Sequence, residues 1–167
     1  MGLEQHRKEA RRELGFAVVT ISDTRKAEDD RGGDFLVASV EGGGHRVAHR
    51  SLCRDEPEEI RAAVRAAIDA DGVDLVLTTG GTGLTPRDVT PETVEALFDR
   101  AIPGFGELFR HLSFAEVGAA TILSRATAGV VGRTIVIVLP GSPKALALAM
   151  GSIVLKEAGH MVSQAQS

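Results

Sequence analysis

The 167-residue chain contains no tryptophan and no tyrosine, and aromatic residues make up only 4% of it. A protein that grips single-stranded nucleic acid by stacking bases on exposed rings needs such residues, so that binding mode is excluded. Basic charge is not in excess either. With Lys plus Arg at 19 against Asp plus Glu at 23, the net charge is −4, the opposite of a nucleic-acid footprint. A local basic pocket for a phosphorylated small molecule is still compatible with that balance. The single cysteine, Cys53, allows no internal disulfide and suits a reducing compartment. No apolar run approaches the ~20 residues needed to span a bilayer. The charged start, His6-Arg7-Lys8-Glu9-Ala10-Arg11-Arg12-Glu13, lacks the apolar core of a signal peptide. No cluster of His, Cys and Asp has transition-metal spacing. Internal repeats, linkers and low-complexity segments are also missing, and the expectation is one cytoplasmic domain with no membrane or nucleic-acid partner.

The chain is organised around Val73 to Glu92, VDLVLTTGGTGLTPRDVTPE. It opens as an apolar run, of the kind that forms a strand buried on both faces of a parallel sheet. It then breaks into Thr79-Gly80-Gly81-Thr82-Gly83, whose glycines let the backbone reach φ > 0 and approach a ligand closely. Pro86-Arg87-Asp88 follows, and Thr90-Pro91-Glu92 reads as a helix start with Thr90 as N-cap. A strand, a glycine loop and a helix start together gather N–H groups around an anion at the carboxyl end of a sheet. The loop matches neither the dinucleotide nor the P-loop fingerprint. A tight turn alone would not need the hydroxyls of Thr78, Thr79, Thr82 and Thr85, nor Arg87 and Asp88, so a phosphate site is favoured.

In chain order, residues up to Leu14 read as a charged arm, and Phe16 to Ile21 as the first strand. Ser22-Asp23-Thr24 forms a turn after it, and Lys26 to Gly33 is a polar, mobile segment. A helix from about Gly33 to Val40 is stopped by Gly42-Gly43-Gly44. His45 to Leu52 is a second strand, whose polar alternation places it at an edge. Pro57 starts a helix to about Ala70. Asp55 has two readings, a cap for that helix or a functional carboxylate. Cys53 reads as a small buried hydrophobe. After the central stretch come a short helix from Pro91 to Arg100, a break at Pro103-Gly104-Phe105-Gly106, and a resumed helix from Glu107. Ser113-Phe114-Ala115-Glu116 has the pattern of a capping box. Ala126–Val131 and Thr134–Leu139 are strands joined by only Gly132-Arg133, which permits an antiparallel hairpin but no parallel crossover. Leu139-Pro140-Gly141-Ser142-Pro143-Lys144 repeats the strand–turn–helix design as a second anion cradle, leading into a helix to about Glu157 and a polar tail over 161–167. The fold class expected is α/β, a three-layer α/β/α domain over 15–160 with a mostly parallel, mixed sheet.

These motifs carry a resemblance. The run TTGGTG-x-TPRDVTPE, with Ser22-Asp23-Thr24, Asp55-Glu56, Pro103-Gly104-Phe105-Gly106-Glu107 and Leu139-Pro140-Gly141-Ser142-Pro143-Lys144-Ala145 in order, resembles the MoaB/MogA family of molybdenum-cofactor biosynthesis proteins. Phe109-Arg110-His111-Leu112-Ser113-Phe114 is closer to its MoaB branch. The resemblance implies a molybdopterin-binding domain that, with Mg²⁺ and ATP, adenylylates the terminal phosphate of molybdopterin. It implies that Asp55 and Asp88 are the catalytic and metal-holding carboxylates. It further implies that Ser22, Asp23, Thr79, Gly80, Gly81, Thr82, Gly83, Pro140, Gly141, Ser142, Pro143 and Lys144 bind the pterin and the nucleotide. The alternative within the family is a non-catalytic molybdopterin binder or carrier. Family members form trimers or hexamers and work beside other proteins of the pathway. Phe105, Phe109, Phe114 and the small-residue C-terminal helix are the sequence's own hint of self-association.

Overall fold

The structure is a computed structural model and describes residues 13–167, so the arm up to residue 12 lies outside the described residues. The elements are β1 Gly15–Ile21, α1 Arg31–Gly42, β2 Arg46–Cys53, α2 Pro57–Asp69, β3 Leu75–Thr79, α3 Thr90–Glu95, β4 Arg100–Ala101, α4 Pro103–Val117, β5 Thr127–Val131 and β6 Thr134–Leu139. A final helix starts as α5 Pro143–Ala149, passes through a π turn at Met150–Val154 and ends as α6 Leu155–Gln166. Six strands form one sheet in the order β2-β1-β3-β6-β5-β4. The first four of these pair in parallel, and the short β5–β6 link gives the expected antiparallel hairpin. β2 is the expected edge strand.

Strand alternation sorts the core into two layers. Phe16, Val18, Leu75, Leu77, Ile135, Ile137 and Leu139 face one side, where α1, α4 and the C-terminal helix supply Leu36, Val40, Phe105, Phe109, Leu146 and Val154. Ala17, Val19, Ile21, Val76, Val136 and Val138 face the other side, against Ile60, Val64 and Ala67 of α2 and Val94 of α3. The three-layer α/β/α architecture is therefore as the apolar strand runs required.

Several local expectations are corrected. Leu14 is fully buried, so the packed domain starts one residue before the expected boundary. The segment before α1 is anchored at Asp30, which caps the helix through the Gly33 N–H and also accepts from the Thr20 hydroxyl and Arg50. Thr90 is the first helical residue and not the cap, and α3 stops at Glu95 so that Arg100–Ala101 can pair with β5. Pro103-Gly104-Phe105-Gly106 begins α4 and does not interrupt it, because Pro103 lacks an N–H only at the first helical position, where a donor would have no helical acceptor. Ser113 is buried mid-helix and donates to the Phe109 carbonyl, so the capping box does not form. The tail expected over 161–167 is the last part of α6. Val162 is fully buried, and the Gln166 side chain donates to Asp74, whose other oxygen takes the Gly15 N–H. The continuous helix Pro143–Gln166 has 24 residues and is apolar and long enough to cross a membrane by length and composition, but its stripe Leu146, Met150, Ile153, Val154, Ala158 and Val162 covers the sheet.

Burial alone would push the Asp30 carboxyl up, yet the Gly33 N–H, the Arg50 guanidinium and the Thr20 hydroxyl outweigh it and hold it below its ordinary value. Asp30→Ala should cost about 2–3 kcal/mol by losing the cap and stranding its partners, measured by denaturant unfolding. Because the folded carboxyl is depressed, its contribution is complete above about pH 4 and is lost as pH falls through the folded value, so the gap between wild type and variant should close in acid.

Candidate functional site

Parallel pairing puts the carboxyl ends of β1, β2, β3 and β6 at one edge of the sheet. From β1 the chain goes first to β2 on one side and then to β3 on the other, so the connections diverge between β1 and β3. That divergence opens a crevice outside the strand ends, the position where open α/β sheets take ligands. The loops that meet there are Ser22–Asp23 after β1, Asp55–Glu56 after β2, Gly80–Asp88 after β3 and Pro140–Lys144 after β6. Of the fourteen residues singled out from sequence, thirteen lie on these loops, and Thr79 is the last residue of β3, at the same edge.

The loop after β3 depends on its glycines. Gly80 has φ +103°, and a Cβ there would stand 2.1 Å from the Ile21 carbonyl oxygen. Gly81 has φ +64°, and a Cβ there would stand 2.2 Å from Thr90 Oγ1 and 2.6 Å from Asp55 Oδ2. No side chain fits at either point. At the next glycine of the loop, Gly83, a Cβ would come within 2.7 Å of Asp88 Oδ2. Both candidate carboxylates therefore lie against the glycine loop. The two cradles also touch. The Thr79 hydroxyl donates to the Pro140 carbonyl at 3.2 Å, and the Gly80 N–H to the Leu139 carbonyl at 3.3 Å.

Asp55 is 8% exposed and does not cap α2, and Glu56 makes no side-chain cap bond there. Instead the Asp55 carboxylate accepts from the Val89 N–H at 3.4 Å, and its own N–H donates to Asp23 at 3.0 Å. The cap reading of Asp55 is thus overturned by geometry. Burial pushes its carboxyl up from the ordinary value, the Val89 N–H opposes this, and the charges of Asp88 and Asp23 add to the rise. Asp88 is half-buried and takes the Thr85 N–H at 3.1 Å. Arg87 crosses the crevice, donating to Asp23 at 2.8 Å and to Glu56 at 2.8 Å, which ties the loop after β3 to those after β1 and β2. The hydrogen bond from Arg87, helped by the Asp55 N–H, keeps the Asp23 carboxyl low. The thiol of Cys53 is half-buried, and burial with nearby Glu59 and Asp55 lifts it to about 11, which makes it inert near neutrality.

In the second cradle, Ser142 caps the C-terminal helix by accepting the Ala145 N–H, and the side chain of Ser22 turns its loop by accepting from Arg25 N–H. Lys144 is exposed and has no partner among the described residues. It lines a 250 Å³ cavity with Thr82, Gly83, Ser142 and the apolar Phe109 and Leu123, which joins the two cradles. A residue that the sequence reading passed over also reaches the site. Arg125 donates to the Thr82, Gly83 and Asp88 carbonyls and pairs with Glu92. Its only sequence signal is an arginine at the mouth of an apolar strand.

Fitness for magnesium can be judged from these contacts. Among the described residues no three His, Cys, Asp or Glu side chains cluster closely enough to hold a metal ion by themselves. Two carboxylates that raise each other's energy, beside the buried and unpartnered Thr90 hydroxyl, do suit a cation shared with a ligand's phosphates. Magnesium binds in that manner, through one or two carboxylates plus substrate phosphate.

Fold and site define a three-layer α/β domain with two adjoining strand–turn–helix loops at a topological switch point. Comparison with known proteins gives the family. Residues 17–160 match the family described as "Probable molybdopterin binding domain". Molybdenum cofactor biosynthesis protein B of Bacillus cereus is 46% identical over 162 residues, covering 96% of each chain. A crystal structure of a molybdenum cofactor biosynthesis protein B superposes with a TM-score of 0.89 at 45% identity, over 92% of this chain and 96% of that one. The tungsten cofactor synthesizing protein MoaB of Pyrococcus furiosus superposes with a TM-score of 0.86 at 35% identity, over 95% and 100%. The chain belongs to the MoaB/MogA family of molybdenum-cofactor biosynthesis proteins, on its MoaB side.

One consequence concerns Asp55. Its raised carboxyl means that the folded state holds a proton which the unfolded chain has released, so its effect on stability becomes less favourable as pH rises through the window just above the ordinary carboxylate value. Asp55→Asn keeps the acceptor for Val89 and removes the buried charge. Without ligand, this variant should melt higher than wild type at neutral pH by roughly 2–4 °C, the shift that about 1 kcal/mol makes in a chain of this size. The gain should vanish in acid, as followed by thermal scans across pH.

Proposed function

We propose that this chain binds molybdopterin and, using Mg-ATP, transfers an adenylyl group to its terminal phosphate. The observation that carries the reading is that Asp55 and Asp88 lie against one glycine loop, whose Thr82 and Gly83 line a cavity together with Lys144. In the reaction an oxygen of the pterin phosphate attacks the α-phosphorus of ATP. The new P–O bond forms as the bond to the α–β bridging oxygen breaks, and pyrophosphate leaves with that electron pair. Phosphoryl and nucleotidyl transfers depend on positioning and on neutralising charge, and the loops are built for both. The N–H groups of Gly81, Thr82 and Gly83, with that of Lys144 at the start of the C-terminal helix, would meet anionic oxygens. Lys144 adds a point charge beside that helix start. Ser22 and Asp23 close the crevice from the β1 side, with Asp23 also holding the Asp55 backbone. Asp55 and Asp88 would hold magnesium, which when bound supplies charge neutralisation to the triphosphate.

The half-buried, unreactive Cys53 suits a reducing cytoplasm, where we place the chain. We also propose that it works as a trimer or hexamer. Phe105 and Phe109, offered by the sequence as interface candidates, are core residues at 4% and 2% exposure. The exposed apolar group is instead Leu108, Phe114, Val117, Ile122 and Leu123, at 44–78% exposure on α4 and the turn after it. An apolar group of that kind is what a second copy would cover. Light scattering at micromolar concentration should give a trimer or hexamer, and Ile122→Asp with Phe114→Glu should give a monomer. A monomeric wild type would contradict the assembly.

Asp88→Asn tests the enzyme. Asparagine can still accept from Thr85, so stability should change by less than roughly 0.5 kcal/mol. Molybdopterin binding should survive while adenylyl transfer falls ~10²-fold or more. Wild-type turnover in the variant would remove Asp88 from catalysis. Wild-type chain that binds molybdopterin but releases no pyrophosphate from Mg-ATP would be a carrier.

A further inference from the structure

Arg125 lies in the link that enters β5, more than thirty-five residues from the glycine loop in sequence, yet its guanidinium ends inside that loop. Nε donates to the Thr82 carbonyl at 3.3 Å, and Nη2 donates to the Gly83 carbonyl at 2.5 Å and to the Asp88 carbonyl at 2.7 Å. Nη1 takes Glu92, and the side chain is 24% exposed. One planar fork therefore joins the two ends of the Leu84-Thr85-Pro86-Arg87 excursion. A lysine could not do this, since an ammonium is a point charge without a fixed fork.

We propose that Arg125 is the positioning residue of the glycine-loop anion cradle. The argument rests on peptide geometry. The described chain has no cis peptide bond, and in a trans peptide the N–H points away from the carbonyl of the same unit. By drawing the Thr82 and Gly83 carbonyls to itself, Arg125 turns the N–H groups of Gly83 and Leu84 to the opposite side. Thr82 and Gly83 line the cavity that holds Ser142 and Lys144, and Arg125 does not line it; it lines the separate 560 Å³ hollow beside Glu92, Glu95 and Arg110. The arginine thus sits behind the cradle and the anion in front of it. Its third carbonyl is that of Asp88, so the same fork fixes the backbone carrying the proposed catalytic carboxylate. The positive charge behind the loop also polarises the two peptides it holds, strengthening them as donors.

This inference rests on the phosphate reading of the cradle, so the test has two readouts. The first is binding of inorganic pyrophosphate to the full chain by calorimetry, and the second is adenylyl transfer with kcat and KM resolved, both well below the melting temperature. Arg125→Ala should raise the Kd for pyrophosphate about 10-fold or more and lower kcat as well as raising the KM for ATP. Arg125→Lys should keep the fold but recover little of the binding. Guanidinium at low millimolar concentration, far below denaturing levels, should restore part of both readouts in Arg125→Ala and have no such effect on wild type. If Arg125→Ala fails to fold, Arg125→Lys decides by the same pyrophosphate measurement. Wild-type Kd and turnover per folded molecule in either variant, with only the melting temperature lowered, would reduce Arg125 to a structural tie and overturn the proposal. A wild type that binds pyrophosphate but transfers no adenylyl group would end the enzyme reading while leaving the Arg125 test intact. A wild type that does not bind pyrophosphate would overturn both.

Discussion

Everything at the site depends on the parallel hydrogen bonding of β1 with β2 and β3, and of β3 with β6. Parallel pairing forces each connection to return across a face of the sheet, so four strands discharge their loops at one edge. The buried faces make that register firm, because a slip of one residue would send Phe16, Leu75 and Ile135 to the layer that holds Ala17, Val76 and Val136. The relative height of the strand ends is thereby set, and with it the separation of Asp55, the glycine loop and the Pro140–Lys144 turn.

Above that edge, apolar packing gives way to polar ties. Arg87 links three loops through Asp23 and Glu56, Arg125 closes the glycine loop from behind, and Asp23 holds the Asp55 backbone. These arginines leave an excess of negative charge facing the crevice, where the charges of Asp88 and Asp23 add to the burial that raises the Asp55 carboxyl. The loops are held in place while the charge around Asp55 is not balanced, a condition that the proposed magnesium and phosphate ligand would relieve. Under the proposed function, stability and catalysis would be opposed at Asp55 for that reason.

Much of this was legible in the chain. Unbroken apolar runs marked β1, β3 and β6, and the two-residue link Gly132-Arg133 dictated the one antiparallel hairpin. The glycine and proline spacing located the turns after β3 and β6. What could not be read was set by tertiary contact. Ser113 and Glu116 have a capping box's spacing, but the helix around them was already running from Pro103, and Ser113 satisfied its hydroxyl on Phe109. Residues beyond Met161 look polar, yet Val162 and Ala165 pack against the layer that holds Leu75, and Gln166 donates to Asp74. Asp55 had a cap's position, and only the fold showed Val89 and Gly81 close beside it. Arg125 carries no motif, since its partners are main-chain carbonyls that any sequence supplies.

The carboxylate of Asp74 stands at the opposite end of β3 from the glycine loop. It takes the Gly15 N–H with one oxygen and the Gln166 amide with the other, so the first strand and the last helical turn meet at a single side chain. The entry and exit of the folded body are therefore neighbours, on the pole remote from the crevice. A segment attached at either end, or a host protein into which this body is spliced, would meet the crevice only by going around the sheet. The same closeness makes the body a natural subject for circular permutation, with a short joint between its ends and new termini cut in an exposed loop.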